Sequence, residues 1–122
     1  MSIFLNRLKL EIAKNYLLNT LPGIPEFAII LGSGLSGDLS FIENTIEIPF
    51  SKVPFLKTSK VGGHKNKIVS GKVSKHYVLF QLGRLHLYEG FSPFEVAFPV
   101  AIYGELGVKN IILTCAAGGI NK

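Results

Sequence analysis

A single cysteine, Cys115, occurs among the 122 residues of this sequence, so no disulfide can form within the chain. No uninterrupted apolar run approaches the roughly 18–20 residues that a membrane-spanning helix needs, and we expect no membrane partner. Repeats and Ser/Gly-rich linkers are also missing, which predicts one domain over residues 1–122. One unpaired cysteine fits a reducing compartment, and the expected location is cytoplasmic.

Acidic residues are missing between Glu47 and Glu89, whereas the same interval holds eight basic residues and all three histidines. The basic residues are Lys52, Lys57, Lys60, Lys65, Lys67, Lys72, Lys75 and Arg84. Such a surface attracts an anion, and the charge pattern leaves open phosphate, nucleic acid or an acidic partner. The histidines lack the spacing of metal ligands relative to carboxylates or the cysteine, so no metal is predicted.

Two helices are predicted from apolar periodicity and from start and stop signals. Residues 3–18 show the pattern of an amphipathic helix. Its apolar side is expected to carry Leu5, Leu8, Ile12 and Tyr16. The second helix begins after the N-cap Ser92, which forms a capping box with Glu95, and it ends near Leu106 before Gly107.

Five apolar segments predict strands, and turn residues separate them. The segments are FAIIL (27–31), TIEIPF (45–50), KIVSGKV (67–73), YVLFQLGRLHLY (77–88) and NIILTC (110–115). FAIIL and the central IIL of NIILTC are wholly apolar, as expected of strands that are covered on both faces. Strands that alternate with helices predict an α/β fold with a mixed, largely parallel central sheet and flanking helices.

The stretch GRLHLYEG (83–90) predicts a polar cluster at the end of one strand. In an extended strand, Arg84, His86 and Tyr88 point to the same face, where a guanidinium, an imidazole and a phenol suit an anion. Glycine-rich turns, GSG and AAGG, follow the strands 27–31 and 110–115, at the carboxyl ends where ligands bind in such sheets. Together these features predict a site for an anion of phosphate size.

Three motifs resemble those of the trimeric purine nucleoside phosphorylases: LGSGLSG (31–37), GRLHLYEG (83–90) and LGVKNIILTCAAGGIN (106–121). The similarity runs from about residue 25 to the last residue. The resemblance implies a phosphorylase-like fold and a homotrimer. It also implies the reversible reaction of a purine nucleoside with inorganic phosphate, without a further cofactor, to give free purine and ribose 1-phosphate.

The resemblance also implies roles for individual residues. The implied phosphate contacts are Ser33, His64, Arg84, His86 and Ala116. Tyr88 is expected to line the ribose, and Glu89 to orient His86, so that His86 and Glu89 form the catalytic pair.

The sequence departs from the family in three respects. Cys115 stands where the family usually has asparagine, and Asn66 stands where it often has glycine. Family members are about twice as long, and the residues that read the purine lie in the half that is absent, so the base preference cannot be predicted. We therefore expect an N-terminal fragment, inactive alone, with a separately encoded C-terminal half as a candidate partner. The alternative is a basic module that binds anions or nucleic acid without catalysis.

Overall fold

A computed structural model describes residues 2–32, 37–62 and 65–114 of the chain. Within these ranges, five strands form one sheet, and two α-helices and two short 3₁₀ helices accompany it. The elements are α1 (Ser2–Thr20), β1 (Phe27–Leu31), β2 (Glu43–Pro49), a 3₁₀ helix at Phe50–Lys52, β3 (Lys67–Val73), β4 (His76–Leu82), a 3₁₀ helix at Leu87–Glu89, α2 (Pro93–Leu106) and β5 (Asn110–Leu113).

The sheet is mixed, with the strand order β2-β3-β4-β1-β5. Pairing is antiparallel between β2 and β3 and between β3 and β4, whereas β1 pairs in parallel with both β4 and β5. The predicted α/β class with a mixed sheet is confirmed. In register, Leu31 pairs with Leu82 and Ile30 with Leu113, so β1, β4 and β5 all end at one edge of the sheet.

Both α-helices pack on the same face of the sheet, where the larger hydrophobic core lies. The sheet contributes Ala28, Ile30, Ile48, Ile68 and Leu79 to this core. The opposite face carries a smaller cluster that includes Val69, Val78 and Phe80, and Ile42 from the segment before β2 covers part of it. Among the described residues, therefore, the sheet has one helix-covered face rather than two.

The predicted apolar side of α1 is wrong. Leu5, Leu8 and Ile12 are 39–46% exposed. The residues that pack into the core are Leu10, Ala13, Leu17 and Leu21, with Tyr16 partly buried against them. Apolar residues occur on more than one side of this helix, so the pattern alone did not identify the side that meets α2 and the sheet.

The termini of α2 form as the sequence predicts. Ser92 Oγ accepts a hydrogen bond from Glu95 N at 3.1 Å, and Glu95 Oε1 accepts one from Ser92 N at 2.9 Å. Pro93 occupies the first helical turn, and Gly107 closes the helix with φ +102°, which glycine adopts without strain. A cap of this kind contributes about 1 kcal/mol, and it fixes the start of α2 just after the GRLHLYEG stretch.

Two strand predictions need correction. β4 ends at Leu82, not Tyr88, because its parallel partner β1 ends in register at Leu31 and Gly83 turns the chain with φ +108°. β5 was expected to be buried, yet it is an edge strand whose Ile112 and Leu113 are 45% and 63% exposed. No helix of the described part of the chain is both long and apolar enough to cross a membrane.

Candidate anion-binding site

Three chain segments meet where β1, β4 and β5 end. Gly83 N donates to Leu31 O at 3.2 Å, and Thr114 N donates to Ile30 O at 3.0 Å, so each neighbouring segment stays bonded to β1 beyond its strand. The Thr114 hydroxyl donates to Ile30 O at 2.7 Å and accepts from Gly32 N at 3.3 Å. These bonds hold Gly32, Gly83 and Thr114 side by side at the carboxyl edge predicted for the site.

Arg84 crosses this edge from the end of β4 to the end of β5. Its Nη1 donates a hydrogen bond to Thr114 O, and its guanidinium passes directly over Gly32. A Cβ at position 32 would lie 3.2 Å from Arg84 Nη2, so a larger residue there would displace the guanidinium. The half-buried guanidinium carries five N–H donors in a planar fork, which suits an oxyanion with several acceptor oxygens.

A buried polar pair supports the turn before Arg84, and sequence reasoning missed it. Gln81 Nε2 donates to Gly83 O at 2.8 Å, and Gln81 Oε1 accepts from the Tyr103 hydroxyl at 2.6 Å. Gln81 is 1% exposed and Tyr103 is fully buried, and this burial raises the pKa of the Tyr103 hydroxyl. The available signal was a lone glutamine inside the otherwise apolar run YVLFQL.

Glu89 binds the backbone and the ring of His86 at once. Its Oε2 accepts from His86 N at 3.0 Å and lies 2.8 Å from His86 Nδ1. Ser59 Oγ and Lys60 N donate to the same carboxylate from the neighbouring loop. Burial alone would raise the pKa of Glu89, but the hydrogen bonds from His86, Lys60 and Ser59 outweigh it and hold the pKa below its usual range. The carboxylate is therefore ionised at neutral pH.

The predicted common strand face for Arg84, His86 and Tyr88 is wrong, although two of these side chains do touch. Residues 83–86 lie outside any strand, and Leu87–Glu89 form a 3₁₀ helix. The rings of His86 and Tyr88 are stacked with centroids 4.8 Å apart and planes inclined by 20°. Tyr88 is 75% exposed and lines a surface cavity of about 640 Å³ beside Glu89 and Phe91.

Three predicted contacts, Ser33, His64 and Ala116, lie outside the described residues, as does Cys115. Among the described residues, no three His, Cys, Asp or Glu side chains group closely enough to hold a metal ion. The described site thus consists of Arg84 at the strand edge and the His86–Glu89 pair in the segment that follows it. A fixed guanidinium followed two residues later by an oriented imidazole makes this segment a candidate anion-binding site of an α/β protein.

Comparison with known proteins assigns the chain to a family. A family model described as the phosphorylase superfamily matches residues 26–122. Purine nucleoside phosphorylase 1 of Geobacillus stearothermophilus is 41% identical over 118 residues, which are 97% of this chain and 43% of that protein. The corresponding protein of Bacillus subtilis (strain 168) is 38% identical over 113 residues, 93% of this chain and 42% of its own length.

Solved structures agree with this assignment. Isoform 2 of the Schistosoma mansoni purine nucleoside phosphorylase, in complex with cytosine and ribose-1-phosphate, superposes with a TM-score of 0.82 at 35% identity. The aligned part covers 93% of this chain and 40% of that one. The chain belongs to the phosphorylase superfamily, as a member of its purine nucleoside phosphorylase family. It spans about two fifths of the length of the relatives it matches, and the family predicted from the three motifs is confirmed.

Proposed function

We propose that this chain provides the phosphate-binding part of a purine nucleoside phosphorylase. The observation that carries the proposal is the position of the Arg84 guanidinium, which lies over Gly32 and bonds to Thr114 O where three parallel strands end. The family membership and the ribose-1-phosphate bound in a relative support a phosphate ligand for this site. Inorganic phosphate is the proposed co-substrate, with no other cofactor.

The proposed reaction breaks the bond from C1′ of the ribose to the purine nitrogen and forms a bond from C1′ to a phosphate oxygen. The purine leaves with the bonding electron pair and takes up a proton, so the sugar passes through a state with positive charge. A phosphate dianion held below the sugar stabilises that charge and is also the nucleophile. Because this phosphate must be placed before the bond breaks, the protein's main task is positioning.

Each described side chain has a part in that task. Arg84 donates to phosphate oxygens, and His86 contacts the same phosphate while Glu89 fixes its ring. Since Nδ1 of His86 faces Glu89, contact between this ring and phosphate would be made through Nε2. With Nδ1–H directed at Glu89, the neutral ring would accept at Nε2 from the one O–H of the phosphate dianion. Tyr88, stacked on His86, borders the ribose. From the resemblance, Ser33, His64 and Ala116 are proposed to complete the phosphate contacts.

We propose that catalysis also needs residues from the part of the family fold that this chain does not match. The C-terminal part of the family fold is the proposed partner of this segment, together with a homotrimeric assembly and a cytoplasmic location. The direct test supplies inosine and phosphate to the purified chain, alone and with the unmatched C-terminal part of the Geobacillus stearothermophilus relative, and measures both hypoxanthine release and phosphate binding. We expect release only with the added part. Release by the chain alone contradicts the need for a partner, and no phosphate binding in either case contradicts the proposed function.

The alternative, a nucleic-acid-binding module, receives less support from the basic segment. Among its aromatic residues, Phe80 is buried and Tyr77 donates its hydroxyl to Ser70 within the sheet. Phe55 is 47% exposed, but Lys9 lies over its ring. Stacking on single-stranded bases requires exposed aromatic faces. Titration with a single-stranded oligonucleotide at two salt concentrations tests this alternative, and binding that weakens steeply with salt would favour it.

A further inference from the structure

Asn66 fixes the backbone of Ser59 with two hydrogen bonds. Its Oδ1 accepts from Ser59 N at 2.9 Å, and its Nδ2 donates to Ser59 O at 2.9 Å. Asn66 itself has φ +52°, a left-handed conformation that asparagine adopts more readily than most residues. A glycine at this position would keep that backbone conformation, but it would remove both hydrogen bonds.

Ser59 connects Asn66 to Glu89 through hydrogen bonds. Ser59 is 5% exposed, and its Oγ lies 3.0 and 3.1 Å from the two Glu89 oxygens, to which it donates. The same Oγ accepts from Val61 N at 3.1 Å, so its proton is directed at the carboxylate. Lys60 N adds a second donor to Glu89 Oε1 at 3.1 Å. Lys60 N therefore binds the Glu89 oxygen that does not contact His86, and Ser59 Oγ lies within reach of both oxygens.

The remaining contacts of Glu89 go to His86. With Glu89 ionised, the short contact to Nδ1 favours the ring tautomer that carries its proton on Nδ1. We propose that Asn66 and Ser59 are positioning residues, which hold the Glu89 carboxylate against His86 and thereby select this tautomer. The importance of the tautomer for phosphate rests on the proposed function, whereas its dependence on Asn66 does not.

Breaking these contacts should change the ratio of the Nδ1–H and Nε2–H tautomers of the His86 ring. Without Ser59 Oγ, or without the two Asn66 hydrogen bonds that place Ser59, the Glu89 carboxylate loses a donor and can turn towards solvent. The preference for the Nδ1–H form should then fall by about fivefold, the factor that corresponds to one ordinary hydrogen bond. The two test variants, Asn66→Gly and Ser59→Ala, leave both His86 and Glu89 unsubstituted.

The experiment measures the ¹⁵N shifts of the His86 ring by long-range ¹H–¹⁵N correlation, in the whole chain and at a pH where the ring is neutral. Only three histidines are present, so His64→Gln and His76→Gln variants assign the signals. Asn66→Gly and Ser59→Ala should both shift the tautomer ratio towards Nε2–H. The matched control is Asn44→Gly, because Asn44 is an exposed asparagine that also has positive φ, +54°, and it should leave the ratio unchanged.

Folding is checked by the dispersion of the backbone amide spectrum. If Asn66→Gly fails to fold, Asn66→Asp, which keeps the acceptor for Ser59 N but loses the donor to Ser59 O, provides the test. An unchanged tautomer ratio in a folded Asn66 variant overturns the proposal, and so does an equal change in Asn44→Gly. Titration with inorganic phosphate separates the two hypotheses. If the ratio shifts but phosphate binds neither to the chain alone nor with the C-terminal part added, the positioning role stands and the proposed function fails.

Discussion

Arg84 is the residue on which the phosphate site depends most directly. Its guanidinium is held by Thr114 O and passes over Gly32, so its donors are fixed before any anion arrives. Replacing it with lysine keeps the charge but removes the planar fork. We expect Arg84→Lys to weaken binding of inorganic phosphate roughly ten- to a hundredfold, the range for loss of hydrogen bonds to a charged group. Isothermal titration of the chain with its complementing C-terminal part measures this.

The control for Arg84→Lys is Arg7→Lys. Arg7 forms a 3.2 Å ion pair with Glu105, and its side chain is 63% exposed on α1. Exposed ion pairs contribute little, so this change should leave both phosphate binding and stability nearly unaltered. Equal weakening in the two variants would show that phosphate responds to the general positive charge of the chain, and that Arg84 has no specific role.

At the scale of elements, the sequence predicted what depends on local signals and missed what depends on distant contacts. Both ends of α2 follow from Ser92, Glu95 and Gly107, whose effects act within one helical turn. The buried side of α1 depends on α2 and the sheet, and the exposure of β5 depends on what packs against its outer edge. Neither is encoded within the element itself.

The candidate site shows the same division. Arg84, His86, Tyr88 and Glu89 were found because they are close in sequence, although the predicted strand face was the wrong geometry for them. Their supports come from far along the chain. Gln81 bonds to Tyr103 of α2, and Ser59 reaches Glu89 across 30 residues. Single-sequence patterns carry no information on such pairings, whereas the lone glutamine in an apolar strand did signal an unexplained polar group.

The contact between α2 and β4 leads to a prediction about stability. Tyr103→Phe removes the hydroxyl that donates to Gln81 Oε1 and leaves that oxygen buried without this donor. A loss of about 1–3 kcal/mol in the free energy of unfolding is expected. Chemical denaturation measures it, with Tyr88→Phe as the control, because the Tyr88 side chain is largely exposed. A loss of equal size in both variants would mean that the buried hydroxyl contributes nothing specific.

At the scale of the whole molecule, acid should weaken the fold at the amino ends of the parallel strands, opposite to the candidate site. At the amino edge, Glu26 lies 2.9 Å from His76 Nδ1 and accepts from Tyr77 N at 3.2 Å. The hydrogen bond to His76, followed by that from Tyr77, lowers the pKa of Glu26 below its usual value of 4.5. A lowered folded-state pKa stabilises the fold above the unfolded value, and this stabilisation is lost as the pH falls through the folded one.

Glu26→Gln should therefore be less stable than the parent chain near neutral pH, and the difference should shrink as the pH falls below 4.5. Denaturation at a series of pH values measures this difference. Phosphate binding should not change, because Glu26 precedes β1 at the edge opposite to Arg84. A difference that stays constant or widens in acid would contradict the stabilising role of the ionised carboxylate.

The exposed edge at β5 leads to a prediction about self-association of the chain. Within the described residues β5 is the last strand of the sheet, and Leu113 at this edge is 63% exposed. Such an edge is a template for pairing with another strand, and a charge on it discourages that pairing. Leu113→Lys should reduce concentration-dependent self-association of the chain, measured by sedimentation equilibrium, while changing the unfolding free energy by no more than about 0.5 kcal/mol.

Leu87→Lys is the matched control, since Leu87 is 59% exposed but lies off the sheet. If both lysines reduce association equally, added charge rather than the β5 edge is responsible; if neither does, this edge takes no part in self-association.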